Sequence, residues 1–270
     1  MKLLNRVLCS AAMLLALGLS ADPIPLTEAA AWANKPSPNV KFEDGVIAIT
    51  GRQALTGKNI YEVDTAKTYK ISFQIRATGE EEQTTTYIGY IPLNAAKAEI
   101  TPMSVFPYAG TEGVLAEDVN TGDTIIKIKP NKAQHWKNVR NYWRVAFDVQ
   151  PDFSDLPNNK LSPAIKTEET KLDGEVIEIA LSKPMTFSAT AGTAVRGHSS
   201  GGKMYVWHGK ATPEWKTVNF VTKGISVRGI SAKEFWKGSK FFKTLIYSNW
   251  TSYKTRPGIE IKDLQLEILD

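Results

Sequence analysis

The chain has 270 residues, 42% hydrophobic and 10% aromatic, with 33 Lys and Arg against 28 Asp and Glu. Its single cysteine, Cys9, excludes an internal disulfide framework and a cysteine metal cage. The formal charge of +5 is scattered, and Lys2 and Arg6 supply part of it, so charge does not argue for a nucleic-acid face.

In chain order, Lys2 and Arg6 precede an apolar run, Val7–Leu19, which ends in Ser20-Ala21 before Asp22-Pro23. A basic start, a short apolar stretch and a small-residue end describe a secretory signal peptide, with cleavage expected near Ala21. The run falls short of the roughly 20 apolar residues of a membrane span. The expectation is therefore a secreted or periplasmic protein with no transmembrane anchor in its mature chain. Residues 22–38 read as a linker or short helix, with "LTEAAAWANK" at its centre.

From residue 39 onward the dominant period is two. "GVIAIT" (45–50), "TYKISFQIRA" (68–77), "TTTYIGYIPL" (84–93), "DTIIKIKP" (123–130) and "YWRVAFDV" (142–149) alternate apolar with polar residues. So do "GEVIEIALS" (174–182), "KMYVWHG" (203–209), "WKTVNFVTKGIS" (215–226), "FFKTLIYSN" (241–249) and "GIEIKDLQLEIL" (258–269). Such segments form strands with one buried face. Helical periodicity is confined to short pieces, including "NAAKAE" and "SAKEFWKG" (231–238). The pattern predicts an all-β protein, a β-sandwich of jelly-roll type with short helices, in one domain over 39–270. Residues 94–170, rich in Pro, Asn, Asp and Lys, read as a long inserted loop region holding two or three strands.

Three segments resemble the galactose-binding-like jelly rolls of the carbohydrate-binding-module type. "NVKFEDGVIAITG" is similar to their opening strand, "IYEVDTAKTYKISFQIRATG" to the element that follows, and "PGIEIKDLQLEIL" to the closing strand. Lys67 departs from the glycine common at its position. The resemblance implies a carbohydrate ligand and a structural calcium tying the first strand to the last. Glu43, Asp44 and Asp263 occupy the matching positions, Glu43 and Asp263 foremost, and Ca²⁺ takes 6–8 oxygen ligands.

The densest chemistry lies in "AGTAVRGHSSGGKMYVWHG" (191–209). Read as a hairpin turning at "SSGG", it places Arg196, His198, Tyr205 and Trp207 on one exposed strand face. Aromatic rings there would stack on sugars while Arg and His donate to hydroxyls. Trp250 and Tyr253, in a loop before the last strand, add a second aromatic platform, whereas Phe235 and Trp236 read as core. Asp152 and Asp155 read as turn residues bonding their own backbone. A metal site from His135, His198 and His208 has no support in their spacing. No nucleotide loop, G-x-S-x-G elbow or H-E-x-x-H motif occurs.

The leading expectation is a secreted, non-catalytic carbohydrate-binding protein for a polysaccharide or glycoconjugate, using Arg196, His198, Tyr205, Trp207, Trp250 and Tyr253. Two alternatives remain open: a structural or adhesion protein of the cell envelope with surface partners, and a lyase or hydrolase in which His198 serves as base beside Arg196.

Overall fold

Alternation becomes strand wherever both faces of the segment can be satisfied. The computed structural model describes residues 22–33, 37–173, 175–252 and 254–270. The expected signal peptide, 1–21, lies outside the described residues, as does Tyr253.

Eleven strands build two facing sheets. The first holds β1 (Ile24–Pro25), β2 (Val40–Glu43), β3 (Val46–Thr50), β6 (Thr68–Thr78), β15 (Lys216–Lys223) and β17 (Gly258–Leu269), in the order β15-β6-β17-β3-β2 with β1 also on β17. The second holds β4 (Gln53–Thr56), β5 (Tyr61–Glu62), β7 (Thr86–Leu93), β14 (Met204–Gly209) and β16 (Phe241–Ser248), in the order β14-β7-β16-β4 with β5 also on β16. Strand pairing is antiparallel throughout both sheets. From β14 onward the chain crosses between sheets at every step, as it does from β3 to β4 and β6 to β7. The fold is an all-β sandwich with jelly-roll connections. The β2–β3 hairpin turns through Asp44 and Gly45 at φ 49° and 73°, the positive φ pair that an Asp-Gly turn supplies.

The strands hold together by burying the face that alternation provides. Tyr69, Ile71, Phe73 and Ile75 of β6 point inward, each at most 1% exposed. They meet Ile88 and Tyr90 of β7 and Phe242 and Ile246 of β16 across the sandwich. Four rings form the densest part: Phe242 lies 5.4 Å from Tyr69, 4.9 Å from Tyr90 and 5.0 Å from Phe235, mostly edge to face. The Tyr69 hydroxyl escapes this apolar packing by donating to the Glu62 carbonyl at 2.9 Å. Phe235 and Trp236 are core, both 0% exposed, though "SAKEFWKG" forms bends rather than a helix.

The middle of the chain forms a third sheet. Its strands are β8 (Gly113–Leu115), β9 (Ile125–Pro130), β10 (Arg144–Phe147), β11 (Lys171–Asp173), β12 (Val176–Ala180) and β13 (Ala194–His198), in the order β10-β13-β8-β9-β12-β11. Ile126, Ile128, Val145, Phe147, Ile177 and Ile179 pack with Trp136 and Trp143 into a core separate from that of the sandwich. The expected loop region is thus part of a sheet that continues to residue 198. Two single-turn helices accompany it, α1 (Pro102–Val105) and α2 (Ala133–Trp136). Among the described residues of the expected helix at 26–35, one 3₁₀ turn forms, at Ala29–Ala31.

The inserted sheet leaves the sandwich after β7 and returns into β14, which pairs with β7 itself. Backbone hydrogen bonds fasten its base: Ser199 donates to the Phe106 carbonyl at 2.9 Å and Asn158 to that of Ser104 at 2.8 Å. Among the described residues no helix is long and apolar enough to cross a membrane.

The four-ring cluster sets the stability of the sandwich. Phe242→Ala is predicted to lower unfolding free energy by about 3–5 kcal/mol, whereas Tyr142→Ala, with a side chain on the surface, should stay within about 0.5 kcal/mol. Denaturant titration decides: a cost below about 1 kcal/mol for Phe242→Ala would show that the cluster is not the core's anchor.

Candidate functional site

Arg196 and His198 do not lie on an exposed hairpin. The segments expected to pair with each other join different sheets: β13 pairs with β10 and β8, and β14 with β7. The "SSGG" segment is therefore the crossing from inserted sheet to sandwich. Arg196 is 1% exposed and His198 is fully buried.

The buried pair is closed off by its own hydrogen bonds. Arg196 Nη2 donates to Asp155 Oδ2 at 2.9 Å, and Asn158 Nδ2 donates to the same oxygen at 3.1 Å. Asp155 Oδ1 accepts from the Gln150 amide at 3.0 Å, the backbone bond expected of a turn aspartate. Arg196 Nε also donates to His198 Nε2, 3.2 Å away. That nitrogen must therefore accept, which puts the ring proton on Nδ1, 2.7 Å from the Met103 carbonyl it donates to. Burial depresses the His198 pKa to about 4, and the nearby Arg196 charge adds to the effect. Burial also pulls the Arg196 guanidinium down, against the opposing pull of Asp155. Both imidazole nitrogens are engaged, so the residue expected as a lyase base is a neutral, fully bonded link between inserted sheet and sandwich.

The aromatic residues assemble elsewhere, on the outer face of the β14-β7-β16-β4 sheet. Tyr87 of β7 and Tyr247 of β16 are direct cross-strand neighbours. Tyr205 of β14 packs its ring 4.3 Å from Tyr87 and 6.3 Å from Tyr247. Trp250, just past β16, stacks on Tyr247 at 4.6 Å and 20°, and the Arg52 guanidinium sits 4.1 Å over the indole. These rings are half-buried, and Tyr205 and Tyr247 rest on the apolar patch of Ile91, Leu93 and Leu245. Lys203 and Glu99 form an ion pair beside them. Burial raises the pKa of Tyr205 and of Tyr247, the latter also through the charge of Glu99, so both hydroxyls remain donors at neutral pH.

Trp207 departs from its expected place for a definite reason. Tyr205 pairs with Gly89, but Trp207 pairs with Ile88, so Val206 is the extra residue of a β-bulge. The added residue inverts the alternation, turning Trp207 inward against Phe73 at 5.8 Å and bringing His208 out to within 6.1 Å of Tyr87. A Cβ on Gly89 would lie 2.1 Å from the Met204 carbonyl oxygen, so the close approach at the bulge requires glycine there.

Glu43 and Asp263 stand at one end of the first sheet with β3 between them, since Glu43 pairs with Val46 and Val46 with Lys262. That is two strand spacings, roughly 10 Å. Asp263 instead accepts a hydrogen bond from Gln74 Nε2 at 2.8 Å. Among the described residues no three His, Cys, Asp or Glu gather as a metal set, the three histidines included.

Of the six expected binding residues, the tyrosine face thus holds Tyr205 and Trp250. Arg196 and His198 are buried, Trp207 faces the core and Tyr253 lies outside the described residues. Tyr87, Tyr247, Arg52 and His208 complete the face. Tyr87 had a signal, because it alternates out of phase with the core residues Ile88 and Tyr90. No protein-family model matches the chain, and no match was found among the curated proteins.

His198 carries a pH prediction. Its folded pKa, about 4, lies below the ordinary 6.5 of the unfolded chain, so between those values the unfolded state binds the extra proton. Stability is fully present above about pH 6.5 and falls on acidification toward 4, by about 3 kcal/mol at most. His198→Gln should flatten that part of the stability–pH curve. Equal slopes for the two proteins would remove His198 as the source.

Proposed function

We propose that the protein is a non-catalytic carbohydrate-binding protein that takes a polysaccharide or glycoconjugate on the outer face of the β14-β7-β16-β4 sheet. The observation that carries the reading is the contiguous, half-exposed array of Tyr87, Tyr205, Tyr247 and Trp250. Aromatic faces present flat apolar area to the C–H faces of sugar rings, and tyrosine hydroxyls supply donors at the rim. Tyr87, Tyr205 and Tyr247 lie on paired strands, so these three rings are positioned before ligand arrives, which lowers the ordering cost of binding. The resemblance of three sequence segments to galactose-binding-like jelly rolls supports the same reading by analogy. The basic start and apolar run of residues 2–19 support a secreted or periplasmic location.

The test is a glycan-array screen of the purified protein, with and without calcium, with each bound glycan re-examined for cleavage. Binding without cleavage is expected. Tyr247→Ala and Tyr205→Ala should each weaken it about 3- to 10-fold, the measure of one lost stacking contact. Silence on every glycan from folded protein would overturn the reading in favour of an envelope structural role. Cleavage of a bound glycan would overturn its non-catalytic part.

A further inference from the structure

We propose that a second, cation-lined cavity at the base of the inserted sheet selects acidic chains, polysaccharides bearing carboxylate or sulfate groups. The inference rests on the carbohydrate-binding reading above and narrows its ligand to one chemical class.

The chain between Asp123 and Asp148 contains six Lys and Arg residues and no Asp or Glu. Two of them are neutralised, Lys127 by Glu117 at 3.1 Å and Lys129 by Glu175 at 4.0 Å. Lys137 and Arg140 have no acidic partner among the described residues, and both border an open cavity of about 660 Å³. Among the described residues no acidic side chain lines that cavity. Half-buried Tyr108, backed by the core ring of Trp143 with centroids 4.6 Å apart, gives it an aromatic wall. Asn141 adds directional donors: its Oδ1 is occupied by the amide and hydroxyl of Thr167, at 2.8 and 2.9 Å, which leaves its Nδ2 hydrogens to donate. In the same stretch Arg144 Nη1 is buried without a hydrogen-bond partner.

An aromatic wall beside two unpaired cations and amide donors matches a sugar ring carrying an anion. The ring meets the wall while the anion takes charge-assisted hydrogen bonds from Lys137 and Arg140. The cavity volume falls within the range of small-ligand sites. Ser199 and Ser200 of the crossing segment close one side of it. Five residues later that segment reaches Tyr205 on the tyrosine face. Five residues span at most about 18 Å, so an oligosaccharide of a few units reaches from one site to the other.

The probes are polygalacturonate for carboxylate, dextran sulfate for sulfate, neutral galactan as reference, and a single-stranded DNA of matched charge. At least one acidic polysaccharide should bind the protein about tenfold or more tightly than galactan, and the responding polymer identifies the anion. Lys137→Ala/Arg140→Ala should remove that preference and leave galactan binding unchanged. Lys41→Ala/Lys58→Ala, with the same charge change on the sandwich, should leave the preference intact. The cavity-site residues exchanged here are exposed, and matching thermal melts check that each variant is folded. An acidic preference that survives the cavity variant, or falls equally in the control, overturns the proposal. DNA bound as tightly as the acidic polysaccharide overturns it too, because the site would then read charge alone. Galactan binding with no gain for either acidic polymer refutes the selectivity and leaves the tyrosine face standing. Silence toward galactan and both acidic polymers overturns this proposal, and silence across the whole glycan array overturns the carbohydrate reading itself.

Discussion

The pairing of β7 with β14 organises the molecule. These strands are neighbours in the second sheet although the whole inserted sheet lies between them in sequence. Their pairing returns the chain to the place it left, so the inserted sheet stands on a narrow base formed by residues 102–108 and 199–203. The same pairing sets Tyr205 beside Tyr87 and forces the bulge that separates Tyr205 from Trp207. Without it the aromatic face loses an edge and the cation-lined cavity loses its serine wall.

At that base the molecule uses polar bonds where the rest uses apolar packing. Asp155, Arg196 and His198 leave water together, and the Phe153 ring lies between the guanidinium groups of Arg196 and Arg228, 4.8 and 4.9 Å away. A buried ion pair of this kind repays its desolvation only when its remaining donors and acceptors are satisfied. Here Gln150, Asn158 and Met103 satisfy them. Such directional bonds hold the 150–158 loop and residue 103 in one arrangement on β13. Lys237 adds to the same joint by donating to the Phe153 carbonyl at 2.7 Å.

Much of the fold was legible because a half-buried strand has to alternate. All ten alternating segments contain strands, and Phe235 and Trp236 declared themselves core by their apolar bulk. The short strands β4, β5 and β8 escaped, since two to four residues carry no measurable period. The site was legible by residue type and not by position. Tyr205 and Trp250 could be chosen as aromatics near strand ends, but their neighbours Tyr87 and Arg52 come from strands distant in sequence. Parity failed at Trp207 because nothing in "KMYVWHG" announces a bulge. The clue was Gly89, on another strand, and it needs the pairing to be read. Arg196 was misplaced because its partner, Asp155, stands 41 positions earlier in a loop that reads as a simple turn.

The narrow base also bears on the order in which the chain folds. To pair β7 with β14 from an unstructured state, the ends of a stretch covering residues 94–203 must meet. That stretch is 110 residues long. Once the inserted sheet has formed, Phe106 and Ser199 are already hydrogen-bonded to each other. The loose chain then shrinks to 94–106 and 199–203, 18 residues in all. Loop-closure entropy scales with the logarithm of length, so the prior folding of the insert lowers the cost of joining the strands by about 1.5 kcal/mol. With a hydrophobic core of its own, the inserted sheet can gather before the sandwich does and act as the clasp that brings the two strands together.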